Sequence, residues 1–406
     1  MSFACRSCGA PELAAVLSLG RTPLANALLT KEQLEADEAT YPLELVFCPS
    51  CTLIQITETV PPEKLFREYF YLSSFSDTVL GNAEALATRL ATTYNLNSSS
   101  LVVEIASNDG YLLKNYQRAG IPVLGIEPAT NIASVAEARG IPTLCDFFGA
   151  EVGERLLAEG RRADLIHANN VLAHVPDLNG FVRGINLLLK DDGVAVIEVP
   201  YVREMIDCRE FDTIYHEHLC YFSLTALDRL FGRCGLVIQE VEQLDIHGGT
   251  LRIYVGKNHA APAPTVERLL QEENGWGVGA LQFYRGFGAK VETLRAELLA
   301  LLRDLKSADQ HIAAYGASAK GSTLLNYFGI GRETLDFVVD RSEVKQGYYT
   351  PGTHLPIYAP GRLLEVMPAY TLLLTWNFAD EILEQQSEYR KRGGRFIIPI
   401  PEVKIV

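Results

Sequence analysis

The chain has 406 residues, of which 48% are hydrophobic and 21% are charged, and its formal net charge is −14. This length exceeds one ordinary core and predicts two or three domains, and the composition excludes a disordered chain. The negative charge argues against binding to nucleic acid or to an anionic membrane, because no long basic face could neutralise phosphates.

The amino terminus shows no basic segment followed by an apolar run, and no apolar run approaches the length of a membrane span. We therefore expect a cytoplasmic protein. In that reducing setting the eight cysteines are expected to be metal ligands, free thiols or core residues rather than disulfides.

Two Cys-x-x-Cys pairs lie in residues 1–68, Cys5 with Cys8 and Cys48 with Cys51. Two matched pairs suit a single tetrahedral ion better than a redox-active Cys-x-x-Cys, which is the alternative. We predict a structural zinc held by all four thiolates, which cross-links a module too small to build a large core alone.

An aromatic segment at 66–74 precedes a helical pattern from about Val79 to Ala91. Packing between two domains explains this segment as well as a lid over a ligand does. In the lid interpretation a hydroxyl of Tyr69 or Tyr71 faces the ligand, so both are candidate substrate-binding residues.

Strand and helix signals alternate across residues 101–257, which is typical of a mostly parallel sheet with helices on both faces. A hairpin at 236–241 and 250–255 ends this region. Two antiparallel strands after five parallel units suit a methyltransferase sheet better than a dinucleotide-binding one. The five preceding strands are predicted at 101–105, 122–127, 143–146, 164–168 and 194–200.

Polar residues follow these strands at the edge where open α/β sheets bind ligands. We expect Glu127 to accept hydrogen bonds from ribose hydroxyls, and Asp146 and Phe147 to meet an adenine. The turn at 106–110 should bring backbone close to the ligand. For each acid taken alone, a helix cap or a solvated loop end is the alternative. The nucleoside could belong to a dinucleotide or to S-adenosylmethionine.

The stretch Tyr215–Phe222 crowds a phenol, two imidazoles and a carboxylate among apolar neighbours, and such groups can be tuned to move protons near neutral pH. In a helical turn, Tyr215 and His218 share a face and can meet one substrate. In an extended segment, His216 and His218 share a face and a metal site becomes conceivable. Structural histidines held by hydrogen bonds are the third interpretation.

The last third of the chain opens with a joint at 261–264 and a long helical pattern that reaches Leu305. Alternation then resumes and predicts a second doubly wound unit, whose first turn offers Ser318 and Lys320 to a diphosphate. A bare strand-to-helix turn is the alternative there, because Gly316 and Gly321 do not complete a G-x-G-x-x-G pattern. The strands are predicted at 312–316, 337–340, 370–376 and 396–399.

These motifs resemble a known family, the S-adenosylmethionine-dependent sugar C-methyltransferases that modify nucleotide-linked 4-keto-deoxysugars. The resemblance covers the whole chain and implies a structural zinc, S-adenosylmethionine in the middle domain, and a sugar nucleotide, expected to be dTDP-linked, between the middle and last domains. Of the general acid-x-Gly-x-Gly-x-Gly loop only Gly110 remains. The resemblance is carried by the four cysteines and by residues 169–174, 215–218, 247–252 and 316–321.

The resemblance also implies roles for single residues. It makes His218 the base that removes a proton from C-3 of the sugar, with Glu217 to orient it. Tyr215 and His174 are expected to contact the sugar or the enolate oxygen. The methyl donor is expected against Glu104, Ala106, Asn108, Gly110, Glu127, Asp146, Phe147, Asn169 and Asn170. The sugar nucleotide is expected against Tyr69, Tyr71, His247, Gly248, Ser318 and Lys320.

The sequence thus predicts an α/β enzyme with three domains. They are a zinc-binding module at 1–68, a Rossmann-like class I methyltransferase domain at 69–257 with a seven-stranded sheet and an antiparallel last strand, and a doubly wound α/β domain at 258–406. The predicted reaction is methylation at C-3 of a nucleotide-linked 4-keto-deoxysugar. An NAD-dependent oxidoreductase or epimerase using residues 316–340 is the enzymatic alternative, and a zinc-stabilised binding protein is the non-catalytic one.

Overall fold

A computed structural model of the chain describes residues 3–67, 72–75, 77–244, 248–257 and 261–406. Tyr69, Tyr71 and His247, three of the proposed substrate-binding residues, lie outside these ranges. The described residues form sheets of four, seven and six strands. None of the helices in these ranges is both long enough and apolar enough to cross a membrane.

The amino-terminal module contains a short antiparallel sheet followed by one turn of helix. Its strands pair in the order of the chain, and their inward side chains are buried. The elements are β1 (Ala14–Thr22), β2 (Tyr41–Phe47), β3 (Ile54–Ile56) and α1 (Pro62–Phe66).

Among the residues that the structure describes, the middle of the chain contributes eight strands and seven helices. The strands are β4 (Val102–Ile105), β5 (Val123–Ile126), β6 (Thr143–Leu144), β7 (Ala163–Asn169), β8 (Leu189–Pro200), β9 (Cys220–Tyr221), β10 (Val237–Leu244) and β11 (Thr250–Gly256). The helices are α2 (Asp77–Thr93), α3 (Leu113–Arg118), α4 (Thr130–Ala138), α5 (Ala150–Ala158), α6 (Leu178–Leu188), α7 (Val202–Asp207) and α8 (Leu224–Arg233).

Seven of these strands form one sheet in the order β10-β11-β8-β7-β4-β5-β6. Strands β4 to β8 are parallel to their neighbours in this group, and β11 runs antiparallel to β8. The predicted seven-stranded sheet with an antiparallel last strand is therefore confirmed. The order reverses at β4, which lies between β5 and β7, and open α/β sheets bind ligands at such a switch point.

Of the five predicted parallel strands, the third and the fifth differ from the observed ones by more than one residue at an end. The third was expected to reach Asp146 but ends at Leu144, because Asp146 turns to cap the next amide, the N–H of Phe147. The fifth was expected after a turn at 191–193 but already begins at Leu189. The register between β7 and β8 shifts over that turn, so the extra residues form an irregularity within the strand.

Strand β9 does not join the large sheet. It pairs antiparallel with β3 and completes the four-stranded sheet of the amino-terminal module. The last part of the predicted catalytic stretch therefore belongs, by backbone pairing, to the zinc-binding module. Sequence periodicity could not show this, because a strand of two residues has no period.

The last third of the chain is a six-stranded sheet in the order β14-β13-β12-β15-β16-β17, with only β17 antiparallel. Two helices precede it where one long helical pattern was expected, because Gly277 ends the first of them in a left-handed conformation with φ 80°. The strands are β12 (Ile312–Tyr315), β13 (Val338–Val339), β14 (Ile357–Tyr358), β15 (Tyr370–Leu373), β16 (Arg395–Ile398) and β17 (Lys404–Ile405). The helices are α9 (Pro264–Trp276), α10 (Leu281–Ser307), α11 (Ala319–Phe328), α12 (Arg362–Val366), α13 (Ala379–Gln385) and α14 (Ser387–Lys391).

One apolar core runs through all three sheets. It continues from the amino-terminal module through one face of the seven-stranded sheet into α10 and the six-stranded sheet. At one junction the ring of Phe47 on β2 lies 5.2 Å from that of Tyr284 on α10. Because the three sheets share this core, packing fixes their positions relative to one another.

Candidate active site

A cleft of about 530 Å³ opens at the carboxyl ends of the parallel strands in the seven-stranded sheet. We call it the main cleft. It brings together most of the residues that the sequence proposed for donor binding and catalysis. These are Ala106, Asn108, Glu127, Asp146, Phe147, Asn169, Asn170, His174, Tyr215 and His218.

The turn after β4 has the backbone of a glycine-rich loop although most of its glycines are absent. Ala106, Asn108 and Gly110 all have positive φ angles, of 54°, 48° and 77°. Asparagine tolerates this left-handed region and alanine does so at a cost. The Asn108 N–H donates to Oε2 of Glu127 at 2.8 Å, which helps to hold the turn.

Glu127 lies at the end of β5 and lines the main cleft. Its Oε1 accepts the Ala129 N–H at 2.9 Å, and burial raises the pKa of its carboxyl group. Each carboxylate oxygen has the capacity to accept a second hydrogen bond, so Glu127 can still bind hydroxyl groups in the cleft. Phe147 also lines the cleft, and its ring is covered by the Arg67 guanidinium at 4.8 Å.

Glu104 lies in β4 just before the turn, and Gly110 is the last residue of the turn. Neither lines the cleft. Glu104 is 1% exposed, and burial raises the pKa of its carboxyl group well above the usual value. A Cβ on Gly110 would lie 2.7 Å from Cγ1 of Ile141, so close packing requires glycine there. Their contact with the donor, which the resemblance implies, stays a prediction.

His218 sits at the opposite end of the cleft in a tight turn, with its N–H donating to the Tyr215 carbonyl. Its Nδ1 is 2.9 Å from the Thr213 carbonyl oxygen. A carbonyl only accepts, so Nδ1 carries the proton and Nε2 has a free lone pair. Tyr215 places its hydroxyl 2.9 Å from that Nε2. Burial, helped by neighbouring His174, lowers the pKa of His218 well below its usual value.

His174 is fixed in the same tautomer. Its Nδ1 donates to the Glu217 carbonyl oxygen at 2.7 Å, and its ring centre is 4.8 Å from that of His218. Burial lowers its pKa. The cleft therefore holds two imidazoles with lowered pKa values beside one phenol, and Nε2 of His218 meets the hydroxyl of that phenol.

Glu217 and His216 face the amino-terminal module. Glu217 was expected to orient His218, but its Oε1 accepts from Asn26 at 2.6 Å, and the Thr213 carbonyl holds the His218 ring. Burial raises the pKa of Glu217 to about 7. His216 contacts the Pro42 carbonyl through Nε2 at 3.1 Å, which is the structural role considered for it. The stretch is a turn rather than a strand, so His216 and His218 do not share a metal-binding face.

Ser318, Lys320 and Gly248 lie outside the lining of the main cleft. Ser318 caps α11 by accepting the Gly321 N–H at 3.0 Å. Lys320 and Gly248 meet at one carboxyl group, that of Glu210. Lys320 Nζ is 3.7 Å from Glu210 Oε2, and a Cβ on Gly248 would lie 2.6 Å from the same oxygen. Burial raises the pKa of Glu210 to about 7.

Several residues that line the cleft were not proposed from the sequence, and two of them form an ion pair. Glu198 on β8 and Arg252 on β11 face each other across the strand pair, with Arg252 Nε 2.8 Å from Glu198 Oε1. They form a nearly buried ion pair, 5% and 9% exposed. An acid near the carboxyl end of the fifth parallel strand was the available signal, since the acids at two other strand ends, Glu127 and Asp146, had been weighed in that way.

The four cysteines of the amino-terminal module converge on one point. Their sulfur atoms all lie within 4.8 Å of one another, with Cys5 and Cys51 at 3.4 Å and Cys8 and Cys48 at 3.6 Å. A tetrahedral zinc with bonds of about 2.3 Å holds its sulfurs about 3.8 Å apart, so the set fits this ion. It is the one group among the described residues with enough ligands for a metal.

Three family models match successive parts of the chain. They are described as a putative zinc binding domain at residues 5–66, a methyltransferase domain at 80–241 and a C-methyltransferase C-terminal domain at 245–401. The C-methyltransferase NovU of Streptomyces niveus is 37% identical over 409 residues, which span 99% of this chain and 96% of that protein. The chain belongs to the C-methyltransferase family.

Two solved methyltransferase structures match part of the chain. The magnesium protoporphyrin IX methyltransferase ChlM from Synechocystis PCC 6803, with bound SAM, is 12% identical with a TM-score of 0.34, over 44% of this chain and 79% of that one. An S-adenosylmethionine-dependent methyltransferase from Clostridium acetobutylicum ATCC 824 is 11% identical with a TM-score of 0.35, over 44% and 91%.

Family membership confirms several predictions. The C-methyltransferase is S-adenosylmethionine-dependent, it has a class I methyltransferase fold, and it carries a four-cysteine zinc module and a second α/β domain. The oxidoreductase or epimerase alternative is not favoured. The type of substrate and the roles of single residues are not decided by these matches.

Removal of one zinc ligand tests the module. We expect purified wild-type protein to contain one equivalent of zinc by atomic spectroscopy, and Cys51→Ser to lose it and to unfold at a lower temperature, because folding and ligation are coupled. Cys145→Ser is the matched control, since that thiol is exposed and outside the cluster. Full zinc content in Cys51→Ser would contradict the four-cysteine site.

Proposed function

We propose that this C-methyltransferase methylates C-3 of a nucleotide-linked 4-keto-deoxysugar after removing the C-3 proton. One observation carries the proposal. The unprotonated Nε2 of His218 lies beside the Tyr215 hydroxyl at one end of the main cleft. The other end of this cleft has the polar strand ends suited to a nucleoside. Carbon methylation needs a carbon nucleophile, and a proton next to a ketone is the one that a base can remove to make it.

S-adenosylmethionine, when bound, supplies an electrophilic methyl group. We assign its nucleoside to the Glu127 end of the main cleft. Glu127 accepts from ribose hydroxyls, and Phe147 offers its ring to the adenine. The backbone of the 106–110 turn, with Asn169 and Asn170 at the end of β7, adds polar groups along the same edge. Asp146 fixes the position of Phe147 by accepting its N–H at 2.9 Å.

The proton transfer is assigned to His218. Its Nε2 takes the C-3 proton, and the electron pair of the broken bond moves into the enolate. Tyr215 must then turn its hydroxyl from Nε2 to the enolate oxygen and donate to it, which stabilises the developing charge. The neutral His174 accepts a hydrogen bond from a sugar hydroxyl through its own Nε2. The Thr213 carbonyl keeps the base in the correct tautomer throughout.

The nucleotide part of the substrate, expected to be dTDP, is proposed at the boundary with the last domain. In this proposal Lys320 and Ser318 face one side of the nucleotide, and Gly248, next to Glu210, faces its other side. A carboxyl group with a pKa of about 7 takes up a proton near neutral pH, so a diphosphate can replace Glu210 beside Lys320 with little repulsion. Tyr69, Tyr71 and His247 remain proposed contacts of the nucleotide sugar. The domain limits at residues 68 and 257 also remain predictions.

Substitution of the base should separate chemistry from binding. We expect His218→Asn to lose C-3 proton exchange, followed as deuterium uptake from D₂O into a dTDP-4-keto-deoxysugar, by about 10²- to 10⁴-fold. Donor affinity by calorimetry should stay within about threefold, because the donor end of the cleft is untouched. Deuterium uptake at the wild-type rate would rule out His218 as the base.

The pH dependence of the same exchange reaction reports the base. His218 acts in its neutral form and its pKa is lowered, so kcat/KM should stay constant from pH 8 to 6.5, and its acid limb should lie below the ordinary imidazole pKa of about 6.5. Glu217 titrates near 7, so the profile is measured in Glu217→Gln as well. An acid limb centred above pH 7 in both proteins would contradict the assignment.

Substitution of the proposed ribose acceptor should affect the donor alone. Glu127→Gln replaces a charged acceptor, which is worth about 1.5–3 kcal/mol, so donor affinity should fall about 10- to 100-fold. Glu137→Gln, an exposed position on the neighbouring helix α4, is the control and should bind as the wild type does. Equal affinity of both variants in calorimetry would place the ribose elsewhere.

A further inference from the structure

The turn that carries the proposed base is fastened to the zinc-binding module by backbone pairing. Tyr221 lies opposite Ile54 and Cys220 opposite Gln55 in the β3–β9 ladder. The Ile56 N–H also donates to the Leu219 carbonyl at 3.0 Å. Leu219 directly follows His218, so the position of the base is set by where β3 lies.

Side chains of the module hold the turn from its other side. Asn26, in the loop after β1, donates to the Glu217 carboxyl group at 2.6 Å. The carbonyl of Pro42, on β2, meets His216 Nε2 at 3.1 Å. Both residues on the amino-terminal side of His218 are thus held by the same module that pairs with the residues on its carboxyl-terminal side.

Strand β3 is in turn held by the first cysteine knuckle. Arg6, between Cys5 and Cys8, donates from its guanidinium to the carbonyl oxygens of Ile56 and Glu58, the latter at 3.0 Å. Its backbone N–H donates to Oε1 of Gln55 at 3.0 Å. These contacts exist only where the knuckle presents Arg6 to β3, and ligation by four thiolates is what shapes the knuckle.

Gln55 connects the metal site directly to β9, the strand that follows His218. Its side chain is fully buried, at 0% exposed, and its Nε2 lies 3.2 Å from the Cys5 sulfur. Its backbone is the partner of Cys220 on β9. A group that donates to a ligand atom orients that ligand, and loss of such groups typically weakens metal binding or activity.

We propose that the zinc-binding module acts in catalysis by positioning His218. Gln55 is then the positioning residue that couples the metal site to the turn of residues 215–218, which we call the catalytic turn. The inference rests on the proposed role of His218 as the base. It goes beyond a zinc that only stabilises the fold, because it separates two functions. The donor end of the cleft is assigned to residues 106–147 with Asn169 and Asn170, whose strands pair with no strand of the module. The module reaches this end through Arg67 over the ring of Phe147 and not through β3, so donor binding does not depend on Gln55.

The test compares two substitutions of buried polar residues. Gln55→Met keeps the side-chain length but cannot donate to Cys5 or accept from Arg6. Thr371→Val, the control, removes one buried hydrogen bond to Tyr389 in the six-stranded sheet and is equally inaccessible, at 0% exposed. Both full-length proteins are loaded with zinc and examined by amide hydrogen exchange, by zinc release to a chelator, by donor calorimetry and by C-3 proton exchange.

For Gln55→Met we expect faster amide exchange in residues 215–222, faster zinc release, and C-3 proton exchange slowed about 10- to 100-fold through kcat. Donor affinity should stay within about threefold of wild type, a readout that general destabilisation would not spare. Thr371→Val should leave amide exchange in 215–222, zinc release and C-3 proton exchange at wild-type values.

Two results would overturn the proposal: amide exchange in 215–222 that is as slow in Gln55→Met as in wild type, or donor affinity that falls in step with turnover. A failure of the proposed function is recognised separately. If wild-type protein exchanges no C-3 proton, the assignment of His218 as the base fails. The positioning by the module is then judged from amide exchange and zinc release, which need no substrate.

Discussion

The hydrogen bond from His218 Nδ1 to the Thr213 carbonyl is the contact on which the chemistry proposed for this C-methyltransferase depends. It decides which nitrogen of the imidazole carries the proton, and therefore which one is free to accept another. A carbonyl can hold the ring without adding a negative charge, so the neutral form of His218 is kept and its pKa stays low. A carboxylate in the same place would hold the ring equally well but would favour the imidazolium, which is no base.

Burial acts on the rest of the site in the same direction. It favours the uncharged form of each group, and it lowers the pKa of His174 while it raises that of Glu127 and Glu217. The nearly buried ion pair of Glu198 and Arg252 is the exception, and its two opposite charges satisfy each other within the wall of the cleft. A site of mostly neutral groups suits a reaction in which negative charge develops on a sugar oxygen and must be met by a hydroxyl.

The three sheets are joined too closely to act as separate units. Strand β9 leaves the middle of the chain to complete the sheet of the amino-terminal module, and α10 packs its Tyr284 against Phe47 in that module. The catalytic turn is consequently built where all three parts meet, with Asn26 on one side and the Glu210–Lys320 pair on another. This arrangement explains how a small metal-bound module can bear on chemistry that none of its own residues performs.

The sequence by itself determined the elements whose signals are local. Strands β4 to β8 were predicted from apolar runs, the cysteine pairs predicted a four-thiolate site from their spacing, and polar strand ends predicted the edge at which the cleft lies. Local signals were sufficient here because burial on both faces of a parallel sheet, tetrahedral ligation and strand direction each act over a few residues. The spacing of Tyr215 and His218 also predicted that the two share a face if the stretch forms a turn, which it does.

Only the tertiary structure decided what depends on distant residues. Asn26 takes the carboxyl group of Glu217, which the sequence had assigned to His218, and these two residues are 191 positions apart. Arg252 meets Glu198 through the register of two strands, and β9 joins another sheet through pairing of only two residues. The turn at 106–110 likewise keeps its left-handed residues with Gly110 as its one glycine, because Glu127 holds it from the next strand. In each case the deciding partner is distant in sequence and is brought close by packing, which no local pattern encodes.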